Sequence, residues 1–159
     1  MRKAFVILVI CCFSLGFIDQ SHGQNISEPQ KSKIETTVDS VFHSMIKAAE
    51  RLDYDYLSRG VNDEYHAGFI TNAGYFARFD SLTNYAKIKS QGIAKQTITL
   101  QNEKITVISD DIVLLTATGE TNVDVNIGNS FMLKFYWSFV YKKAGSDWKV
   151  IQSHQSVVR

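Results

Sequence analysis

The sequence predicts an α+β fold in which helices come first and an antiparallel meander of strands follows. An apolar stripe at helical spacing runs through residues 34–52. From residue 96 onwards the chain changes to alternating or β-branched strands separated by turn residues. Helices and strands do not alternate along the chain, which favours α+β over repeated βαβ units. The chain has no internal repeat or linker, and its length predicts one domain.

The first helix is predicted to begin after a polar lead-in. Ser27 is the expected N-cap, Pro29 falls in the first turn, where its missing N–H costs nothing, and Gln30 would close a capping box. The apolar stripe that follows is one that a sheet can wrap. It comprises Ile34, Val38, Val41, Phe42, Met45, Ile46, Ala49 and Leu52. His43 lies beside this stripe and is interpreted as a boundary residue.

The next segment predicts a short helix and then extended structure. Asp53 is expected to cap a helix over Asp53–Leu57, which Gly60 ends. The segment Asp63–Ile70 is short, aromatic and broken by glycine, so it favours a first strand or a bent edge strand over a helix. Thr71–Phe79 is interpreted as a loop or short strand whose aromatic residues close the core.

A third helix precedes the strands. Asp80 or Ser81 is expected to cap a helix over Leu82–Gln91, which Gly92 ends. The pattern then changes to strands and turns. Strands are predicted over Gln96–Leu100, Glu103–Ser109 and Ile112–Asp124, with turns at 110–111 and 126–129.

The last thirty residues predict a hairpin of two long strands. One face of its first strand is almost wholly aromatic or aliphatic. That face carries Leu133, Phe135, Trp137, Phe139 and Tyr141. Residues 144–147, Ala-Gly-Ser-Asp, have the composition of a four-residue hairpin loop. On the last strand, simple alternation places one apolar and three polar residues on a common face: Val150, Gln152, His154 and Ser156.

This aromatic strand, the short turn and the closing run over Trp148–Ser156 resemble the C-terminal hairpin of the NTF2-like superfamily. Within it they are most similar to SnoaL-like and ketosteroid-isomerase-like small domains, of the DUF4440 type. The resemblance implies a cone, in which a curved antiparallel sheet wraps a long N-terminal helix and two short helices and leaves a pocket. The superfamily includes isomerases, dehydratases, hydrolases and non-catalytic binding modules, so the fold does not decide the function.

The N-terminus has the pattern of a secretory signal peptide. Two basic residues precede an apolar run over Ala4–Ile18, and small residues at 21 and 23 predict cleavage after Gly23. The run is shorter than the roughly 20 apolar residues that a membrane span needs. We therefore expect residues 1–23 to be removed, leaving one domain over 24–159 that is periplasmic or secreted and has no membrane anchor. Both cysteines lie in the leader.

Charge and motif content narrow the possible partners. The chain has 17 basic and 16 acidic side chains, and this balance argues against nucleic acid or an anionic membrane as the main partner. His43, His66 and His154 have no partner at His-x-x-x-His spacing, so no metal site is predicted. No glycine-rich phosphate loop follows a strand, and no cofactor is expected.

The ketosteroid isomerase resemblance implies one candidate general base. In that pattern a carboxylate on the first strand moves a proton, and the matching position falls near Glu64-Tyr65-His66, with His66 the closest match. Imidazole suits this role because its pKa lies near neutrality. The alternative is a structural histidine. The acid of the isomerase oxyanion pair has no counterpart on the terminal hairpin, which puts steroid-type isomerisation in doubt.

An aromatic-lined pocket is expected beside this position. Trp137 is its candidate floor, Tyr75 a candidate donor at its mouth, and each has the alternative of a core or sealing aromatic. The expected lining residues are Tyr65, Tyr75, Phe135, Trp137, His154 and Ser156.

Three functions remain open from the sequence. The first is binding of a small apolar or amphipathic molecule without catalysis. The second is an isomerase, dehydratase or hydrolase with His66 as base and Tyr75 or His154 as donor. The third is a module that mainly dimerises, since the exposed face around Tyr136, Ser138 and Val140 is mildly apolar and could support a homodimer.

Overall fold

The computed structural model describes residues 26–126 and 128–159, so the predicted signal peptide lies outside the described residues. The helices are α1 (Glu28–Glu50), α2 (Tyr54–Arg59) and α3 (Phe79–Lys89). The strands are β1 (Phe69–Thr71), β2 (Gly74–Phe76), β3 (Ile93–Val107), β4 (Ile112–Val125), β5 (Ser130–Ala144) and β6 (Asp147–Val158). Within the described ranges, none of the helices combines the length and apolar character needed to cross a membrane.

The six strands form one curved sheet in the order β2-β1-β6-β5-β4-β3. The four long strands form the predicted antiparallel meander. β1 instead pairs with β6 in parallel, because the chain enters β1 from the helical segment and not from a hairpin with β6. The predicted α+β class is confirmed, with a mixed sheet in place of a purely antiparallel one.

The core lies between α1 and one side of the sheet, which we call the inner face. Val38 and Phe42 from α1 and Phe135 and Tyr141 from β5 are at most 1% exposed. Packing this apolar stripe against the aromatic side of β5 removes both from water, which is the main stabilising contribution here. The apolar face predicted for the first strand of the hairpin is therefore confirmed.

The start of α1 differs from the prediction in its chemistry. Ser27 is the N-cap residue, as expected, and the proline falls in the first turn. The Ser27 side chain makes no cap hydrogen bond, so the predicted capping box with Gln30 is not formed. At α2 the prediction is confirmed, because Asp53 Oδ1 accepts a hydrogen bond from the Tyr56 backbone N–H at 2.9 Å.

The segment predicted as a first strand, Asp63–Ile70, begins with a helical turn and becomes a strand only at its last two residues. Asp63–Tyr65 form one 3₁₀ turn, His66 has a left-handed backbone with φ of 49°, and β1 begins only at Phe69. The turn is stabilised by Asn62, whose Oδ1 accepts from the Glu64 backbone N–H at 2.9 Å. Asparagine before a polar residue favours such a turn locally, which overrides the aromatic pattern.

α3 begins three residues before its predicted start. The Phe79 backbone N–H donates to Asp63 Oδ2 at 2.9 Å, so a carboxylate from the preceding 3₁₀ turn satisfies the helix start instead of Asp80 or Ser81. This contact spans sixteen residues and therefore leaves no local signature. The two predicted strands between residues 96 and 109 are one strand, β3, with a bulge between Leu100 and Asn102.

The β5–β6 hairpin closes through a two-residue turn, since Ala144 pairs with Asp147 and Gly145 takes a φ of 63°. A second irregularity decides which residues of β6 face inwards. Tyr141 pairs with Val150, whereas Val140 pairs with Gln152, so Ile151 is the extra residue of a β-bulge.

The bulge reverses the alternation predicted for the end of the chain. Directly opposed residues in an antiparallel pair point to the same side of the sheet. Ser153 and Gln155 oppose the inner-face residues Phe139 and Trp137. His154 and Ser156 oppose Ser138 and Tyr136 and point to the opposite side, which we call the outer face. The prediction that Val150 shares a face with Gln152, His154 and Ser156 is wrong, because it assumed an unbroken strand. The last three do share a face, the outer one.

Candidate functional site

A cavity of about 210 Å³ lies between the three helices and the inner face of the sheet. Its walls are mostly aliphatic and aromatic. The helices contribute Phe42, Met45, Ile46, Ala49, Tyr54, Leu57, Phe79, Leu82, Thr83 and Ala86, and the rest of the chain contributes Leu52, Val61, Gln96, Trp137, Phe139, Val150, Ser153 and Gln155.

The helical spacing of α1 places its contribution to the wall. Phe42, Met45, Ile46 and Ala49 recur at three- and four-residue steps and therefore lie on one side of the helix. α1 is held against the edge of the sheet at this level, since Glu50 Oε1 accepts from the Ile98 backbone N–H at 2.8 Å. The C-terminal end of α1 is thus fixed beside the cavity.

Trp137 and Phe139 of β5 form the floor, and Phe135 supports the Trp137 indole from behind. The Trp137 indole stacks on the Phe135 ring with centroids 3.9 Å apart and planes at 19°. The Phe139 ring meets the same indole edge-on, at 6.2 Å and 80°. Such packing holds each ring in place and is worth about 0.5–1.5 kcal/mol per pair beyond area burial. The floor is therefore rigid as well as apolar.

Most polar side chains of the wall are already hydrogen bonded within the protein. Gln96 Nε2 donates to the Ala49 carbonyl, and Gln155 Nε2 donates to Ser153 Oγ at 3.0 Å. The Tyr54 hydroxyl donates to the Ala86 carbonyl at 3.3 Å. These bonds offset part of the desolvation cost of the groups, and each glutamine keeps its Oε1 acceptor and a second N–H for a ligand.

Thr83 Oγ1 likewise donates to the Phe79 carbonyl, at 2.9 Å.

The Trp137 indole is the exception among the polar groups of this wall. Its Nε1 is buried and has no hydrogen-bond partner among the described residues. An indole N–H can only donate, so its partner has to be an acceptor.

The described part of the cavity wall carries no formal charge at neutral pH. Among the described residues that line it, none carries a carboxylate, an imidazole, an ammonium or a guanidinium group, and Tyr54 is the one ionisable side chain. Below the wall, the Tyr141 hydroxyl contacts Met45 Sδ at 3.6 Å, and burial raises the pKa of Tyr141 above its ordinary value. This arrangement suits a neutral guest and offers no group that could act as a general base at neutral pH.

The structure places three of the sequence-predicted site residues away from this cavity. His66 follows the 3₁₀ turn and is exposed, and it is not part of the wall. Tyr65 is 48% exposed and Tyr75 is 63% exposed. The Tyr75 ring covers Gly68, where an added Cβ would lie 2.2 Å from a ring carbon. Tyr75 therefore seals a backbone segment and does not close the mouth of the cavity.

The remaining four predicted residues divide between the two faces. Trp137 lines the cavity, and Phe135 lies directly behind it. His154 and Ser156 lie on the outer face, where His154 Nε2 and Ser156 Oγ are 3.1 Å apart. The structure brings Phe135 and Trp137 together on the inner face, whereas His154 and Ser156 line a separate, open pocket on the outer face that Trp137 also borders.

The polar residues that the sheet contributes to the cavity wall are Gln96, Ser153 and Gln155, none of which the sequence singled out. The register of β6 explains the last two. Trp148 and Val150 are buried at even positions, whereas Ser153 and Val157 oppose inner-face residues at odd positions. This change of phase within one strand indicates a bulge.

Comparison with known families assigns the chain to a class. The family model of the SnoaL-like domain matches residues 38–159, so the chain belongs to the SnoaL-like domain family. The predicted membership is confirmed. A search of curated proteins found no match.

Solved structures share the fold at low sequence identity. An NTF2-like superfamily protein from Salmonella enterica serovar Typhimurium LT2 aligns with a TM-score of 0.71 at 14% identity, over 79% of this chain and 92% of that one. A putative dehydratase of the NTF2-like family from Streptomyces avermitilis gives 0.70 at 15%, over 81% and 98%. A hexachlorocyclohexane dehydrochlorinase from Novosphingobium barchaimii gives 0.69 at 10%, over 84% and 92%. These similarities establish the NTF2-like fold.

Proposed function

We propose that this domain binds a small, neutral and largely apolar molecule in the cavity over Trp137, without transforming it. The observation that carries the proposal is the wall itself, an apolar enclosure of about 210 Å³ with no charged side chain. Pockets of this kind, with few polar groups, are typical small-molecule sites. A neutral guest gains burial there, whereas a charged guest loses its hydration with no compensating partner.

The unpaired indole N–H adds a preference within this ligand class. A buried donor without an acceptor costs about 1–3 kcal/mol. Nε1 is closed off from solvent and has no partner among the described residues, so a guest with a carbonyl or ether oxygen can relieve part of that cost once a small shift of the Trp137 indole exposes Nε1 to the cavity. We therefore propose that the natural ligand carries one acceptor on an apolar body.

The catalytic alternative lacks support from the wall. His66, the sequence-predicted base, is exposed and does not line the cavity. A general base has to come within about 3 Å of the proton that it removes, directly or through one water. Export of the chain and formation of a homodimer remain predictions from the sequence.

The test uses three aromatic molecules of nearly equal size. α-Methylstyrene has no acceptor, acetophenone replaces its methylene by a carbonyl oxygen, and benzoate carries a full negative charge. Binding is followed by quenching of Trp137 fluorescence in a Trp148→Phe background, which leaves one tryptophan in the chain. We expect both neutral molecules to bind, acetophenone about fivefold more tightly because of one additional neutral hydrogen bond, and benzoate at least tenfold more weakly.

Two variants separate cavity binding from surface adsorption. Ala86→Leu fills the cavity, because Ala86 lines it, and is expected to abolish binding of both neutral molecules. Ala94→Leu adds the same volume at an exposed position of β3 and is expected to leave binding unchanged. Equal binding by the two variants, or benzoate binding as tightly as acetophenone, would refute the proposal.

A further inference from the structure

Three metal-ligating side chains meet where α1 crosses the edge strand β3, outside the cavity wall. Asp39 and His43 lie one turn apart on α1, and Glu103 projects from β3. One donor atom from each residue lies within 4.8 Å of the donor atoms of the other two. His43 Nδ1 is 3.4 Å from Asp39 Oδ1, and His43 Nε2 is 4.0 Å from Glu103 Oε2.

The backbone of α1 fixes which nitrogen of His43 is free. His43 Nδ1 lies 3.0 Å from the Asp39 carbonyl oxygen. A carbonyl oxygen can only accept, so Nδ1 carries the proton, and in the neutral ring Nε2 presents a lone pair. Nε2 points towards the Glu103 carboxylate, which also offers lone pairs. A metal-binding histidine commonly donates its second N–H to a backbone carbonyl or a carboxylate in this manner.

Glu103 belongs to the same convergent arrangement, and the one basic group beside it in the described cluster is the His43 imidazole. Its Oε1 is buried and has no hydrogen-bond partner among the described residues, and its side chain is 18% exposed. Two carboxylates and an imidazole thus converge in a partly desolvated corner, Asp39 on the Nδ1 side of the ring and Glu103 on the Nε2 side, and a cation bound there would relieve the repulsion between the carboxylates.

We propose that Asp39, His43 and Glu103 form a binding site for a divalent transition-metal ion, with Zn²⁺ as the representative ion. One imidazole nitrogen and two carboxylate oxygens are ligands that Zn²⁺ accepts, at about 2.0–2.2 Å. In a tetrahedral site two such atoms lie about 3.3–3.6 Å apart, so Nε2 and Oε2, now 4.0 Å apart, would approach each other by about half an ångström on binding.

The site differs from the motif sought in the sequence. Its helical part has Asp-x-x-x-His spacing, and its third ligand comes from a strand sixty residues later, so a search for paired histidines misses it. The Asp39 and His43 side chains are 49% and 46% exposed, which leaves room for water to complete the coordination. Bound metal would link α1 to the edge strand of the sheet.

The experiment measures binding of Zn²⁺ to purified, chelator-treated protein by isothermal titration calorimetry, with thermal unfolding measured in parallel. We expect one Zn²⁺ per chain and a rise in Tm on binding, because an ion that binds only the folded state stabilises it. His43→Ala and Glu103→Gln are expected to weaken Zn²⁺ binding at least about tenfold and to remove the rise in Tm. Mg²⁺, which prefers all-oxygen sites, is expected not to compete.

The matched controls are the other exposed histidines. His154→Ala and His66→Ala remove an imidazole from regions without this cluster and are expected to leave the affinity for Zn²⁺ unchanged. The Glu103→Gln variant keeps the shape of the side chain, and the Tm of each variant without metal verifies that it is folded. The proposal is overturned if Zn²⁺ does not bind saturably, or if the His43→Ala and His154→Ala variants lose affinity equally.

Discussion

The Phe135 ring lies directly against the backbone of Gly119. A Cβ added at Gly119 would lie 2.6 Å from Phe135 Cζ and 2.1 Å from the Thr99 carbonyl oxygen. These distances are well below van der Waals contact, so only a residue without a side chain fits between the ring and the neighbouring strand. The Phe135–Trp137 stack, and with it the floor of the cavity, depends on this close approach.

Gly119→Ala is therefore expected to lower the free energy of unfolding by about 1–3 kcal/mol, the usual cost of overpacking. It should also weaken acetophenone binding, because the displaced Phe135 ring moves the Trp137 indole. Chemical denaturation and the fluorescence titration measure these two effects. Thr116→Ala, at an exposed position of the same strand, serves as the control and should cost less than about 1 kcal/mol. A fully stable Gly119→Ala variant would show that the contact is not tight.

The two N-cap residues Ser27 and Asp53 are predicted to differ in their effect on stability. Asp53 accepts a hydrogen bond from the Tyr56 backbone N–H, whereas the Ser27 side chain makes no cap hydrogen bond. Asp53→Ala should lower the free energy of unfolding by about 0.5–2 kcal/mol. Ser27→Ala should change it by less than about 0.5 kcal/mol. Urea denaturation of both variants checks this, and equal losses would contradict it.

The exposed histidines His66 and His154 provide a second matched pair. His66 has a φ of 49°, where glycine is more favourable than any residue with a side chain, whereas His154 lies in the extended strand β6. We expect His66→Gly to leave stability unchanged or slightly increased. His154→Gly should lower it by about 1 kcal/mol, because glycine weakens a strand interior. Thermal unfolding of both variants measures this difference. If His66→Gly and His154→Gly lowered stability equally, His66 would have contacts that offset its backbone strain.

Local sequence signals were sufficient for much of the fold. The apolar stripe of α1, the cap of α2 and the aromatic face of β5 depend on periodicity and on neighbouring residues, so the pattern predicted them correctly. The 3₁₀ turn at Asp63 was missed because an asparagine cap outweighed an aromatic pattern, and the start of α3 was missed because its acceptor lies sixteen residues away. The parallel pairing of β1 with β6 is likewise non-local.

The candidate site was less predictable than the fold because it depends on register. One extra residue, Ile151, moves His154 and Ser156 to the outer face and brings Ser153 and Gln155 to the cavity. Trp137 lies on β5, and the extra residue of the bulge is on β6. The alternation of β5 is therefore unbroken, and the predicted place of Trp137 on the inner face agrees with the structure. The cluster around His43 was not recognised because Glu103 joins it only through the packing of α1 on β3.

The Asp111–Lys142 ion pair predicts how part of the stability depends on pH. The Lys142 ammonium hydrogen-bonds to Asp111 Oδ2, and Ser109 Oγ donates to Asp111 Oδ1 at 2.6 Å. These bonds hold the pKa of Asp111 below its ordinary value of 3.8 and raise the pKa of Lys142. Because the folded chain binds fewer protons than the unfolded chain at this carboxylate, its contribution is complete above pH 3.8 and is lost as the pH falls through the lower folded pKa.

Replacement of the lysine tests that dependence directly. In Lys142→Met, the pKa of Asp111 should rise towards 3.8, although the Ser109 hydrogen bond still holds it somewhat lower. Carboxyl carbon chemical shifts followed by NMR through an acid titration report this pKa at a single residue. Lys143→Met removes a neighbouring exposed ammonium group that makes no ion pair with Asp111 and should leave the Asp111 titration unchanged. If Lys142→Met left the Asp111 pKa as low as in the parent chain, Ser109 and the backbone would be the groups that stabilise the carboxylate.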